Sequence, residues 1–158
     1  MSILQTKRMK CMKKAMKLFA VLFTALFVLL GCAKEETATF ELKNEAIVST
    51  LVYYYKGDVV TKQTAKSEVD LKKIPLSEDE AIKKFQENTD LYNSVKGVTA
   101  TQEVKDGIVT QFVTVDYTVA KLSDLKKAIP TDFSGQGDKV SFKASKEALI
   151  KAGYTEKK

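Results

Sequence analysis

The chain has 158 residues, 26 of them basic and 20 acidic, with two cysteines and no histidine or tryptophan. Six of the basic residues and none of the acidic ones lie in residues 1–31, so the chain is formally neutral from Cys32 onward. A neutral domain argues against a nucleic-acid partner, which needs a net basic footprint, and one cysteine beyond the leader leaves no intramolecular disulfide.

The first predicted element is that leader. A basic stretch ends at Lys17, and an uninterrupted apolar run of 13 residues follows from Leu18 to Leu30. As a helix, the run spans roughly 20 Å at 1.5 Å per residue. That is short of a bilayer core of about 30 Å, so the run reads as the apolar region of a secretory signal rather than a membrane span. It stops at Gly31-Cys32, and charge resumes at Lys34, Glu35 and Glu36. Met12-Lys13-Lys14 is a natural start for such a leader, which leaves Cys11 without a role.

Leu29-Leu30-Gly31-Cys32 resembles the bacterial lipobox: an aliphatic residue, a variable one, a small one, then cysteine. The resemblance implies diacylglycerol on the Cys32 thiol and a cut between Gly31 and Cys32. Two acyl chains carry on the order of thirty methylenes at roughly 0.8 kcal/mol each, a hold far stronger than that of one chain. The expected partner is therefore the membrane, through lipid on Cys32, with the domain on its extracytoplasmic side. Residues 32–38 are expected to be the lipidated cysteine and a short polar tether, and 39–158 a single domain. The 127 residues beyond the leader are enough to bury a core of their own.

Strand signals dominate the first half of that domain. Thr39 to Lys43 alternates around Phe40 and Leu42, and Ala46 to Tyr55 is rich in Val, Ile, Thr and Tyr. Gly57-Asp58 suits a type II′ hairpin turn. Val59 to Val69 continues as a strand, mostly polar on both faces past Val60, and is expected to be partly exposed or at an edge, where Lys62 and Lys66 discourage pairing. Ser77-Glu78-Asp79-Glu80 is a capping box. It opens a helix to about Val95, with a sparse apolar stripe of Ile82, Phe85, Tyr92 and Val95. Val98 to Lys105 and Ile108 to Ala120 flank Asp106-Gly107, a strong hairpin signal. Ser123 and Ser145 are the expected caps of two short helices, separated by Pro130 and a Gly-rich loop over 131–139. The order β-β-β-α-β-β-α-α, with nothing that forces a parallel crossover, predicts an α+β fold. Its antiparallel sheet has about five strands, with helices on one face.

Tyr55-Lys56-Gly57-Asp58-Val59-Val60-Thr61-Lys62-Gln63, the helix start at Ser77 to Ala81, Lys96-Gly97-Val98 and Asp116-Tyr117 resemble the YehR-like small bacterial lipoproteins. The likeness runs from about Thr39 to Thr155. It implies a small envelope lipoprotein and transfers no catalytic or ligand residue.

The residue inventory limits the chemistry. Without His or a free mature Cys, the usual nucleophile–base pairs cannot be built, and zinc sites are disfavoured. No cofactor and no metal are expected. Glu78, Asp79 and Glu80 cluster where a helix dipole favours acids. Asp132 to Asp138 spaces its oxygens like the start of a calcium loop, but Lys143 takes the place of the bidentate Glu, so the segment reads as a plain turn-rich loop. Tyr53, Tyr54 and Tyr55 are expected in the core or at its edge. Thr24 to Gly31 has the apolar character of a signal-derived peptide pheromone, as most such runs do. The leading expectation is a non-enzymatic, membrane-tethered binding or accessory module, with an envelope protein or small ligand as partner. The alternative is a carboxylate-dependent hydrolase of envelope polymers, with two acids facing each other across a cleft.

Overall fold

A computed structural model describes residues 34–130 and 138–158. The leader, Gly31, Cys32 and most of the 131–139 loop lie outside the described residues. Residues Glu35–Lys158 form one compact unit.

In chain order the elements are β1 (Glu36–Lys43), β2 (Ile47–Lys56), β3 (Val59–Asp70), a 3-10 turn (Leu71–Lys73), α1 (Glu78–Asn93), β4 (Val98–Lys105), β5 (Ile108–Asp116), α2 (Leu122–Ala128), α3 (Phe142–Lys151) and β6 (Thr155–Lys157). The strands form one sheet in the order β4-β5-β3-β2-β1-β6, and every pairing is antiparallel. The three helices share one face of the sheet, so the fold is α+β as the pattern predicts.

Both hairpin tips fall where the glycines place them. Lys56 pairs with Val59 across Gly57-Asp58, and Gly57 has φ of 60°, as the first centre of a type II′ turn requires. Lys105 pairs with Ile108 across Asp106 and Gly107, whose φ values of 53° and 79° suit type I′. The capping box also forms: the Ser77 hydroxyl accepts from the Glu80 amide, and the Glu80 carboxylate accepts from the Ser77 amide.

Several expectations need correcting. Strand β3 is partly exposed, as expected, but it is central, between β2 and β5, rather than at an edge. Its lysines point to the open face, where Lys62 lies over the Tyr54 ring and Lys66 over Phe112. Strand β1 begins at Glu36, so Glu36 to Ala38 belong to the sheet and not to a tether; Ala38 is buried against the core. Strand β5 stops at Asp116, four residues early, because the Asp116 side chain accepts from the Thr118 amide and hydroxyl and turns the chain. Lys121, not Ser123, starts α2, with no side-chain cap. Ser141, not Ser145, caps α3, accepting from the Ala144 amide. A sixth strand, β6, adds to β1 after α3.

The free edge of β4 is closed by a side chain. Asn93, the last residue of α1, donates to the Ala100 carbonyl at 2.9 Å and accepts from the Ala100 amide at 2.8 Å. One amide thus satisfies two edge groups as a neighbouring strand would, which discourages edge-to-edge pairing.

The core is divided. One cluster, with Tyr92, Val95, Val98, Val113, Val115, Leu125 and Ile129, lies under the end of α1 and α2. A second, with Phe40, Leu51, Tyr53 and Val60, meets Phe142 and Leu149 of α3. A third joins Leu71, Ala81 and Val109 near the start of α1.

Candidate functional site

Between the first two clusters the helical layer parts over the middle of the sheet, leaving a cleft of about 680 Å³. Its floor is β2 and β3, and its banding follows from their register. Ser49 pairs with Ser67, Leu51 with Ala65, and Tyr53 with Gln63. Alternate residues of a strand share a face, so these six residues point the same way in a polar row, an apolar row and a second polar row. Ala144, Ala148 and Ala152 form one wall at four-residue spacing along α3, and Tyr92, Leu122 and Lys126 line the cleft from α1 and α2. The space exists because small residues face small residues there: Ala65, Ser49 and Ser67 below, the alanines beside.

The hydroxyls of the floor are wired together. Tyr154 Oη donates to Ser49 Oγ at 3.1 Å, and Ser49 Oγ lies 3.2 Å from Ser67 Oγ. Tyr117 Oη donates to Gln63 Oε1 at 2.8 Å. Burial pushes the Tyr117 phenol well above its ordinary range. Burial also raises Tyr53, against a weaker opposing effect of its hydrogen bond with Ser145. Both phenols are therefore neutral hydrogen-bonding groups throughout the physiological range. The charged side chains in the described lining are Lys126 and Lys139, both cationic.

Helix α3, which carries the alanine wall, is held mainly at its ends. The β2–β3 hairpin tip grips its start: Asp58 accepts from the Lys143 amide at 2.7 Å and from the Ser141 hydroxyl at 2.8 Å. These bonds hold the Asp58 carboxyl below its ordinary value. Tyr55 stacks on Phe142 with ring centroids 3.7 Å apart. Beyond the helix, Glu156 of β6 pairs with Lys146 at 2.6 Å.

Of the residues singled out from sequence, Tyr53 reaches the cleft, Tyr55 packs on α3, and Tyr54 faces the open side of the sheet. Glu78, Asp79 and Glu80 form the first turn of α1, where Glu80 serves the cap. Asp138 borders a smaller adjoining hollow of about 210 Å³; Asp132 to Gly137 lie outside the described residues, as do Gly31 and Cys32. The cleft itself was missed. Its signal was present in Ser49, Gln63 and Ser67, polar residues at strand positions whose neighbours on the same face, Leu51 and Val69, are apolar.

A family model described as "Protein of unknown function (DUF1307)" matches residues 36–155. The chain belongs to this family. Among its relatives, the uncharacterized lipoprotein Lin0239 of Listeria innocua is 33% identical over 150 residues, covering 94% of this chain and 98% of the relative. Lmo0207 of Listeria monocytogenes, also named an uncharacterized lipoprotein, is 31% identical with the same coverage. The uncharacterized lipoprotein YehR of Escherichia coli is 26% identical over 153 residues, covering 93% of this chain and 100% of YehR. The NMR structure of E. coli YehR superposes with a TM-score of 0.63 at 23% identity, covering 78% of this chain and 91% of that one. At that identity the superposition speaks to the fold, and it supports the α+β architecture described above.

Proposed function

We propose that this DUF1307 chain is a lipid-anchored binding module of the cell envelope, held on the extracytoplasmic side of the membrane through Cys32 and taking a small ligand into the cleft over β2 and β3. The observation that carries the binding role is the cleft itself: about 680 Å³, partly apolar, with convergent hydroxyl and amide groups, the usual character of a small-molecule site. The anchor rests on the lipobox-like Leu29 to Cys32 and on relatives that are named lipoproteins. No helix among the described residues is long and apolar enough to cross a membrane. A non-enzymatic role fits a described lining of hydroxyls, one amide and two ammonium groups. The hydrolase alternative needs two acids across a cleft, and nothing in that lining favours it.

Metabolic labelling with a fatty acid, combined with native mass spectrometry of the detergent-extracted protein, tests both halves. Wild type is expected to carry label and to begin at residue 32, and Cys32→Ala to carry none. A small molecule is expected to co-purify with wild type and to be lost from Ala148→Phe, which blocks the cleft. Equal labelling of both proteins would remove the anchor. A co-purified mass unchanged by the blocking variant, or no such mass at all, would remove the cleft as the binding site.

A further inference from the structure

On the reading that Cys32 carries the lipid, the short chain between the lipid and the sheet selects the surface of the domain that meets the membrane. We infer that the end of the sheet at the β2–β3 hairpin tip, where Val59 and Val119 are exposed, rests on the headgroups of the bilayer that holds the anchor.

Strand β1 begins at Glu36. The chain is tied to the sheet one residue earlier, where the Glu35 carboxylate accepts from the Thr61 hydroxyl at 3.0 Å. Ala33 and Lys34 are all that separates Glu35 from Cys32. Three residue steps reach roughly 11 Å even when fully extended, and the headgroup layer on each side of a bilayer is about 5–7 Å thick. The tied end of the sheet is thus kept close to the lipid surface. Register shows what lies at that end: Glu36 is opposite Tyr55, Lys56 opposite Val59, Lys62 opposite Asp116, and Val98 opposite Val115. The other end, with the Asp106-Gly107 tip, is about 23 Å farther along the strands by the rise of seven residues.

Exposure alone does not choose between the ends, because Val59 and Val119 are exposed at one and Leu76 and Ile108 at the other. The point of attachment does. Tipping the domain sideways is disfavoured by composition: the flank beside β1 is β6, whose Thr155, Glu156 and Lys157 are all exposed and none apolar. The tied end also presents Lys56, Lys96 and Lys121, while three of its acids are engaged within the domain, Glu35 by Thr61, Asp58 by the start of α3 and Asp116 by Thr118. The smaller hollow, with Val59, Thr61 and Thr118 in its lining, lies at this end and shares Tyr117, Leu122 and Val140 with the cleft. The orientation therefore turns that side of the cleft toward the lipid.

The test uses the full processed protein in vesicles of phosphatidylcholine and phosphatidylglycerol that carry a nitroxide on the headgroup. The chain has no tryptophan, so a single one placed at Val59, Val119 or Ile108 reports its own closeness to the lipid surface. All three positions are exposed, so the core is left intact. Val59→Trp and Val119→Trp are expected to lose half or more of their fluorescence relative to vesicles without the nitroxide, and Ile108→Trp to lose almost none. Equal quenching at all three positions would overturn the orientation. Quenching at Val59 without Val119 would overturn it too, because the domain would then lean on its β6 flank. No quenching at any position, in protein that floats with the vesicles, overturns the orientation and leaves the anchor standing. Failure of wild type to float with the vesicles removes the anchor itself, and the orientation with it.

Discussion

Helix α1 buries Ala81, Thr89 and Tyr92 against β4 and β5, whereas α3, on the same face of the same sheet, buries none of its ten residues. The seam under α1 is closed by packing. Gln111 is paired there, its Nε2 donating to Thr89 Oγ1 at 2.9 Å and to Asn88 Oδ1 at 3.1 Å, although Oε1 of its cross-strand neighbour Gln102 is buried without a partner among the described residues. The seam beside α3 is open, and the helix is kept in place by the Asp58 clamp at its start, the Tyr55–Phe142 stack and the Lys146–Glu156 pair. Such tethers, with Phe142 and Leu149 only partly buried against the second cluster, can replace full burial of a helix, and the space they leave is the cleft. A binding site on this fold therefore needs no large cavity inside a single core. It needs two clusters that part in the helical layer while sharing Ala65 and Tyr117 as neighbours.

The largest effect is expected on the closed side. Leu125 is fully buried among Tyr92, Val95 and Val98. Leu125→Ala should cost about 2–5 kcal/mol through lost burial and the void it leaves, measured by urea unfolding. A loss below about 1 kcal/mol would show that this seam is as loosely packed as the other.

A matched pair of alanines sharpens the contrast. Ala81 in α1 is 1% exposed, so Ala81→Leu should overpack and cost about 1–3 kcal/mol. Ala148 faces the cleft, so Ala148→Leu should stay within about 0.5 kcal/mol of wild type, as surface substitutions do. Equal losses at the two positions would mean that the cleft is not open space.

The smallest effect is expected at Asp58. Its carboxyl is held below its ordinary value of 3.8 by the Lys143 amide first and the Ser141 hydroxyl second. A carboxyl lowered in the folded state contributes stability that is present above that ordinary value and is lost as pH falls through the lowered one. Asp58→Asn should therefore flatten part of the acid-side fall in melting temperature between pH 4 and pH 2 (to about that range by the usual carboxylate scale), while hydrogen exchange at pH 7 should quicken in the first turn of α3. Unchanged exchange there would show that the clamp does not hold the helix.

Much of this architecture is written in local sequence. Asp106-Gly107 and Gly57-Asp58 specify tight hairpins because few residues adopt positive φ, and Ser77 with Glu80 starts α1 because both partners of its cap lie within one turn. These features depend on neighbours a few positions apart, so the chain alone determines them.

Other features depend on residues far apart in the chain. The polar strand β3 lies at the centre of the sheet because its inward Gln63 and Ser67 face a cleft rather than a packed core, which alternation alone cannot distinguish from an edge. Ser141 rather than Ser145 caps α3 because Asp58, 83 positions earlier, bonds to the Ser141 hydroxyl. Strand β6 forms although Thr155 to Lys157 carries no strand pattern, because β1 offers it an edge. The cleft belongs to the same class. Tyr154 and Ser49 are 105 positions apart and share a hydrogen bond, and a site assembled at that separation is set by how the sheet brings its strands together, not by any stretch of chain.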